Sequence, residues 1–93
     1  MDAWPFEDPP NTASITTRQV LEGAPVLLVT HDADDGGWQF LSGATVDEAD
    51  GRVVGLGNML ARDPSLGELA DLPEGWRARR AARGNPWRRE RDS

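Results

Sequence analysis

The sequence predicts an α+β fold, a small, mainly antiparallel sheet of three or four strands with two or three short helices, and three observations predict it. Pro25 to Gly43 joins an apolar run to an acidic glycine turn and then to a second run containing Trp38 and Phe40, the pattern of a β-hairpin with a charged tip. A third apolar stretch, Val53 to Leu56, supplies another short strand. Thr16-Thr17 ahead of Val20-Leu21, and Asp63-Pro64 ahead of Leu66, Leu69 and Ala70, are helix starts in which a side-chain oxygen caps the first free amides.

The 93 residues are enough for one domain with a single modest core. They divide into an extended arm over 1–12, an α+β domain over 13–87 and a basic tail over 88–93. In the arm, Pro5, Pro9 and Pro10 remove backbone donors and disfavour helix, so Trp4 and Phe6 are expected to become ordered by docking onto the domain. The first helix starts at Thr16 or Thr17, buries Val20 and Leu21, and stops at Gly23 with Pro25. Val26 to Thr30 is apolar on both strand faces and reads as a central strand covered on both sides. Asp32 to Gly37 forms the loop, with Gly36 and Gly37 free to take positive φ.

Beyond the loop, Trp38, Phe40 and Ser42 share one buried strand face. The Val53 to Leu56 strand, entered from a loop over Asp47 to Gly51, completes an antiparallel meander with the hairpin. Asn58 caps a turn carrying Met59 and Leu60, Leu72 to Gly75 is a turn, and Trp76 to Ala82 reads as a final strand whose alternation Arg80 breaks. Gly84-Asn85-Pro86 turns the chain again before Trp87, its last aromatic anchor.

Composition excludes several chemistries. Without cysteine there is no disulfide, thiolate metal site or cysteine nucleophile, and a single histidine makes a zinc site improbable. No run approaches the roughly 20 apolar residues of a membrane span, and the acidic, proline-rich start does not read as a secretory signal. A cytoplasmic protein without membrane contact is the expectation. Charge is divided unevenly. Residues 1–75 carry 14 acidic groups against three basic ones, a balance of −11, whereas residues 76–93 carry seven arginines against Glu90 and Asp92, a balance of +5. Such a split gives a chain either a self-complementary pair of surfaces or two separate partner surfaces.

The segments TTRQVLEG, PVLLVTHDADDGGWQFLSG, LADLPEGWRARRA and NPW carry a resemblance to a group of short bacterial proteins of uncharacterised function. That group is similar in turn to a small domain of unknown function among the immunity proteins of polymorphic-toxin systems, a link that rests mainly on VTHDADDGGWQFLSG. The resemblance implies an α+β fold and a protein-binding role, and brings no catalytic residues.

Two sets of residues are candidates for function. His31, Asp32, Asp34 and Asp35 form an acidic tip that reads as a partner-binding surface. As a calcium loop begun at Asp32 it fails, because the fifth and twelfth places hold Gly36 and Gly43 where oxygen ligands are needed. No metal or other cofactor is expected. Arg77, Arg79, Arg80, Arg83, Arg88 and Arg89, flanked by Trp76 and Trp87, form a basic surface with the composition of a nucleic-acid-binding segment. The acidic body would repel the same polyanion over a Debye length of roughly 8 Å.

The leading expectation is therefore a non-catalytic protein-binding domain of the immunity type with an acidic recognition surface. The alternatives are a nucleic-acid-binding accessory using the arginines and a small acid/base or metal-dependent enzyme built around His31. Neither a G-x-S-x-G elbow nor a phosphate-cradling glycine loop accompanies that histidine.

Overall fold

The computed structural model of the chain describes residues 4–43 and 48–91. Its centre is a six-stranded mixed sheet. The strands are β1 (Ala13–Thr17), β2 (Leu28–His31), β3 (Trp38–Leu41), β4 (Gly51–Gly55), β5 (Trp76–Arg79) and β6 (Arg88–Arg91). They lie in the order β4-β1-β3-β2-β5-β6. The helices are α1 (Arg18–Leu21) and α2 (Leu56–Arg62), with 3-10 segments at Glu48–Asp50 and Pro64–Leu69.

This corrects the expected three- to four-stranded, mainly antiparallel sheet in number and in topology. β1 was hidden because Ala-Ser-Ile-Thr-Thr is largely polar and runs straight into the helix that its own Thr17 caps; the Thr17 hydroxyl accepts from the Val20 amide. β6 was hidden because Arg-Arg-Glu-Arg has no apolar face; all four residues are exposed, and the strand is held by backbone pairing to β5 and by ion pairs. The chain from Arg88, read from sequence as a tail, thus belongs to the sheet. The meander is corrected as well. β4 does not lie beside β3 but pairs antiparallel with β1, and β1 sits between them, parallel to β3.

Within the hairpin the registers are Val29 opposite Phe40 and His31 opposite Trp38. β5 continues the rows, with Ala78 beside Val29 and Trp76 beside His31. This face packs under α2 and the Pro64–Leu69 segment to form a core of Val26, Val29, Trp38, Phe40, Leu56, Met59, Leu66, Leu69, Leu72 and Ala78. Phe6 of the arm completes it, set edge-on to Trp38 with ring centroids 5.0 Å apart. The opposite face of the sheet is open. One row across it reads Val53, Ile15, Gln39, Thr30, Arg77 and Glu90. β2 is therefore central but not covered on both sides, since Val29 is buried while Leu28 and Thr30 are half-exposed.

The expected break at Arg80 has a physical meaning. β5 ends at Arg79, and Arg80 turns into the interior, where its side chain is 1% exposed. There its guanidinium donates to Asp63 Oδ2 at 2.6 Å, Ser65 Oγ at 2.9 Å and the Val26 carbonyl at 3.1 Å. Its flat face covers the Trp87 ring, 4.1 Å from the centroid. Asp63, read from sequence as a helix cap, does cap the 3-10 segment, accepting from the Ser65 amide. Burial by itself pushes the Asp63 carboxyl up, but the Ser65 hydroxyl and the Arg80 guanidinium outweigh it and hold the group below its ordinary value. One buried ion pair thereby links the end of α2 to the end of β5.

Candidate functional site

The hairpin tip is built by short-range hydrogen bonds that its sequence dictates. Asp32 Oδ1 accepts from the Asp34 amide at 2.7 Å and Asp35 Oδ1 from the Gly37 amide at 2.8 Å, the Asx turns for which aspartate is suited. The loop closes where the Asp32 amide donates to the Gly37 carbonyl. Of the two loop glycines only Gly36 takes positive φ, at 72°, which corrects the expectation for Gly37. Gly36 is also a point of close approach: a Cβ there would lie 2.7 Å from Glu74 Oε2. The tip and the Leu72–Gly75 turn are thus brought side by side.

His31 ends β2 at the junction of these two segments. Its ring stacks on Trp38, centroids 3.9 Å apart and planes 13° from parallel. Nδ1–H donates to the Leu72 carbonyl at 2.7 Å, and the His31 carbonyl accepts from the Gly75 amide. The bond to the Leu72 carbonyl is the polar contact the imidazole makes, rather than one to a loop carboxylate. It fixes the tautomer, because only a protonated Nδ1 can donate to a carbonyl.

Around this stack lies a cleft of about 480 Å³. Its polar lining is acidic: Glu7 and Asp8 from the arm, Asp35 from the tip, and Asp71 and Glu74 from the segment before β5. Phe6 and Trp38 supply apolar wall. Asp8 is tied in, its Oδ2 accepting from Trp38 Nε1 at 3.1 Å and its carbonyl from Trp4 Nε1. Asp71 pairs with Arg89 at 2.8 Å. Among the described residues no arginine pairs with Glu7, Asp8, Asp35 or Glu74.

The structure divides the candidate acidic set. His31 and Asp35 line the cleft, while Asp32 and Asp34 line a neighbouring recess of about 300 Å³ that His31 also borders. Glu7, Asp8, Asp71 and Glu74 were not among the sequence candidates. They come from an arm and a turn that only the tertiary fold brings to the hairpin, and no local spacing announced them. Among the described residues no group of three or more histidines and carboxylates is arranged to hold a metal ion.

The candidate basic set is not one surface. Arg80 is buried as described. Arg77 and Arg79 both reach Glu90 of β6, at 2.9 and 3.3 Å. Arg89 faces the other way, to Asp71 and the Glu68 carbonyl. Arg88 is exposed on β6 and Arg83 on the loop between β5 and β6. Trp76 carries Arg91 above its ring at 6.0 Å, and Trp87 lies beneath Arg80, so neither indole presents a free stacking face on the open side of the sheet. No helix among the described residues is long and apolar enough to cross a membrane. Compared with family models, with curated proteins and with solved structures, the chain finds no match.

Proposed function

We propose that this chain is a small, non-catalytic protein-binding domain of the immunity type, acting in the cytoplasm, whose acidic cleft receives a basic partner. The observation that carries the reading is the gathering of Glu7, Asp8, Asp35, Asp71 and Glu74 around the His31–Trp38 stack, with Asp71 the one carboxylate compensated by an arginine. Carboxylates of one sign in a concave wall focus the field and attract a cation at long range. Such a surface speeds encounter with a basic partner and sets its register. The stack and the carbonyl bond hold His31 in a fixed orientation, which suits a recognition wall better than a proton shuttle.

The nucleic-acid alternative is weaker on two counts. Four of its candidate arginines are engaged by Glu90, Asp71 and Asp63, and the aromatic side chains of β3 and β5 face the core side of the sheet. Without bases stacking on exposed rings, single-strand binding loses a main contribution.

The test is a titration of the isotopically labelled chain with an arginine-rich peptide, followed by amide shifts. Shifts are expected at Asp35, Gly36 and Glu74, weakened by added salt and by the pair Asp35→Asn and Glu74→Gln. Shifts confined to β5 and β6, or none, overturn the cleft as the binding surface. The immunity reading is tested separately, by whether the chain neutralises the product of a neighbouring toxin gene; an absence of any such neighbour removes it while leaving the cleft intact.

A further inference from the structure

The two edges of the sheet differ in a way that the acidic cleft does not explain. β6 closes one edge with Arg88, Arg89, Glu90 and Arg91, all exposed. Any two-fold antiparallel pairing of β6 with itself over three or more residues sets like charges opposite each other. Centred on Glu90 it opposes glutamate to glutamate, centred on Arg89 arginine to arginine, and centred between them Arg88 to Arg91. Like charges directly opposite are destabilising, and a charged edge is a recognised guard against sheet extension.

β4 closes the other edge as Gly51-Arg52-Val53-Val54-Gly55, and among the strands it pairs with β1 alone. Beside it stand the large apolar residues that remain exposed among the described ones. Val53 is 69% exposed and Ile15 38%, and the two are direct cross-strand neighbours on the open face. An edge strand with an apolar centre and one charge is a template for another strand.

We propose that β4 pairs antiparallel with β4 of a second copy of this chain about a two-fold axis at Val53, joining two sheets into one. The register is self-complementary. Centred on Val53, it sets Val53 on the partner's Val53, Arg52 on the partner's Val54, and Gly51 on the partner's Gly55, so no like charges meet. Every other two-fold centre within one residue is worse or shorter: an axis at Arg52 opposes the two guanidinium groups, and an axis at Val54 leaves three residues paired. On the open face the pairing makes a continuous apolar row of Ile15, Val53, the partner's Val53 and the partner's Ile15. Closed two-fold symmetry stops assembly at two, because each copy's remaining edge is the charged β6. The inference rests on the sheet edge and is independent of the cleft.

Light scattering and sedimentation of the full chain test it. The wild-type chain is expected to show a dimer mass that dissociates on dilution. Val53→Lys places two lysines directly opposite each other, their Cα atoms about 5 Å apart, and should raise the dissociation constant about tenfold or more. The exposure of Val53 spares the core, and an unchanged circular dichroism spectrum and melting curve would verify that the variant folds. Arg88→Ser on the opposite edge should leave the dimer unchanged. In the wild type, the amides of Gly51, Val53 and Gly55, which alternate along β4 with those facing β1, should exchange slowly with solvent and become fast in Val53→Lys, while those of Arg52 and Val54 stay protected by β1 in both. A wild-type chain that stays monomeric up to its solubility limit overturns the proposal, as does a dimer that survives Val53→Lys or is lost in Arg88→Ser.

Discussion

The hairpin tip with its cleft and the arginine-rich β5–β6 edge carry opposite charge in different ways. Four of the seven arginines are tied to carboxylates within the fold: Arg80 is buried on Asp63, Arg77 and Arg79 share Glu90, and Arg89 holds Asp71. The carboxylates of the tip satisfy backbone amides instead, at Asp34 and Gly37, and these bonds leave their negative charge uncompensated. The comparison teaches that a count of charges along a chain says little about which charge is available. Asp63 and Asp71 offset two charges of the +5 excess at the C-terminal end, through Arg80 and Arg89, whereas Glu7, Asp8, Asp35 and Glu74 of the cleft have no arginine partner among the described residues.

The sharpest way to test this contrast is to remove what each region rests on. Trp38→Ala takes away the wall of the cleft, the ring under His31 and a buried aromatic, and should lower unfolding stability by about 4 kcal/mol. A urea transition within a few tenths of a molar of wild type would show that the hairpin does not depend on that ring. Arg80→Met should lower it by about 3 kcal/mol, because the Asp63 side chain, 7% exposed, is left charged and unpaired. The double variant with Asp63→Leu should recover much of that loss, and a failure to recover would mean that Arg80 acts through Trp87 and the Val26 carbonyl more than through the ion pair.

Acid should act on the basic region's internal pair. The folded chain holds Asp63 below its ordinary value of 3.8, so its contribution is complete above that pH and is lost as pH falls through the lowered value. The stability difference between wild type and Asp63→Asn is expected to narrow below pH 3.8, and a difference that stays constant to the acid limit would contradict the lowered value. The smallest effect belongs to the displayed carboxylates. Asp35→Asn with Glu74→Gln should change stability by less than about 0.5 kcal/mol, read by thermal unfolding, while slowing association with a basic peptide in low salt.

What the sequence disclosed was what local chemistry determines. The β2–β3 hairpin, a threonine cap at Thr16 or Thr17 and the Asp63 cap follow from residues within a few positions of one another. So does the docking of Phe6, because a large apolar ring on a proline-bound arm has little alternative. β1 escaped because Ser14 and Thr16 face inward and are buried through hydrogen bonds to the Val54 and Phe40 carbonyls; a hydrophobic period is absent where the core-facing side chains are hydroxyls. β6 escaped because its strand state depends on Glu90 and on the backbone of β5, neither of which leaves an apolar pattern. The same reasoning separates the halves of the site. Asp35 and His31 were legible in the hairpin, whereas Glu7 and Glu74 reach the cleft only through the arrangement of the arm and the turn.

The position of β1 also constrains the order in which the molecule can assemble. Its two neighbours, β3 and β4, are made later in the chain: Ile15 must find Gln39 on one side, and Ala13 must find Gly55 on the other. The β2–β3 hairpin closes across one short loop, so it pays little loop entropy and can form early. β1 must therefore wait for β3 on one side and longer still for β4 on the other, and it stays half-paired until Gly55 is made. Non-local, partly parallel pairing of this kind slows folding relative to local hairpins. Ribosome-bound chains that end before Gly55 would hold β1 without its antiparallel neighbour, and protection of the 13–17 amides would arrive in a late step, after the hairpin has already formed.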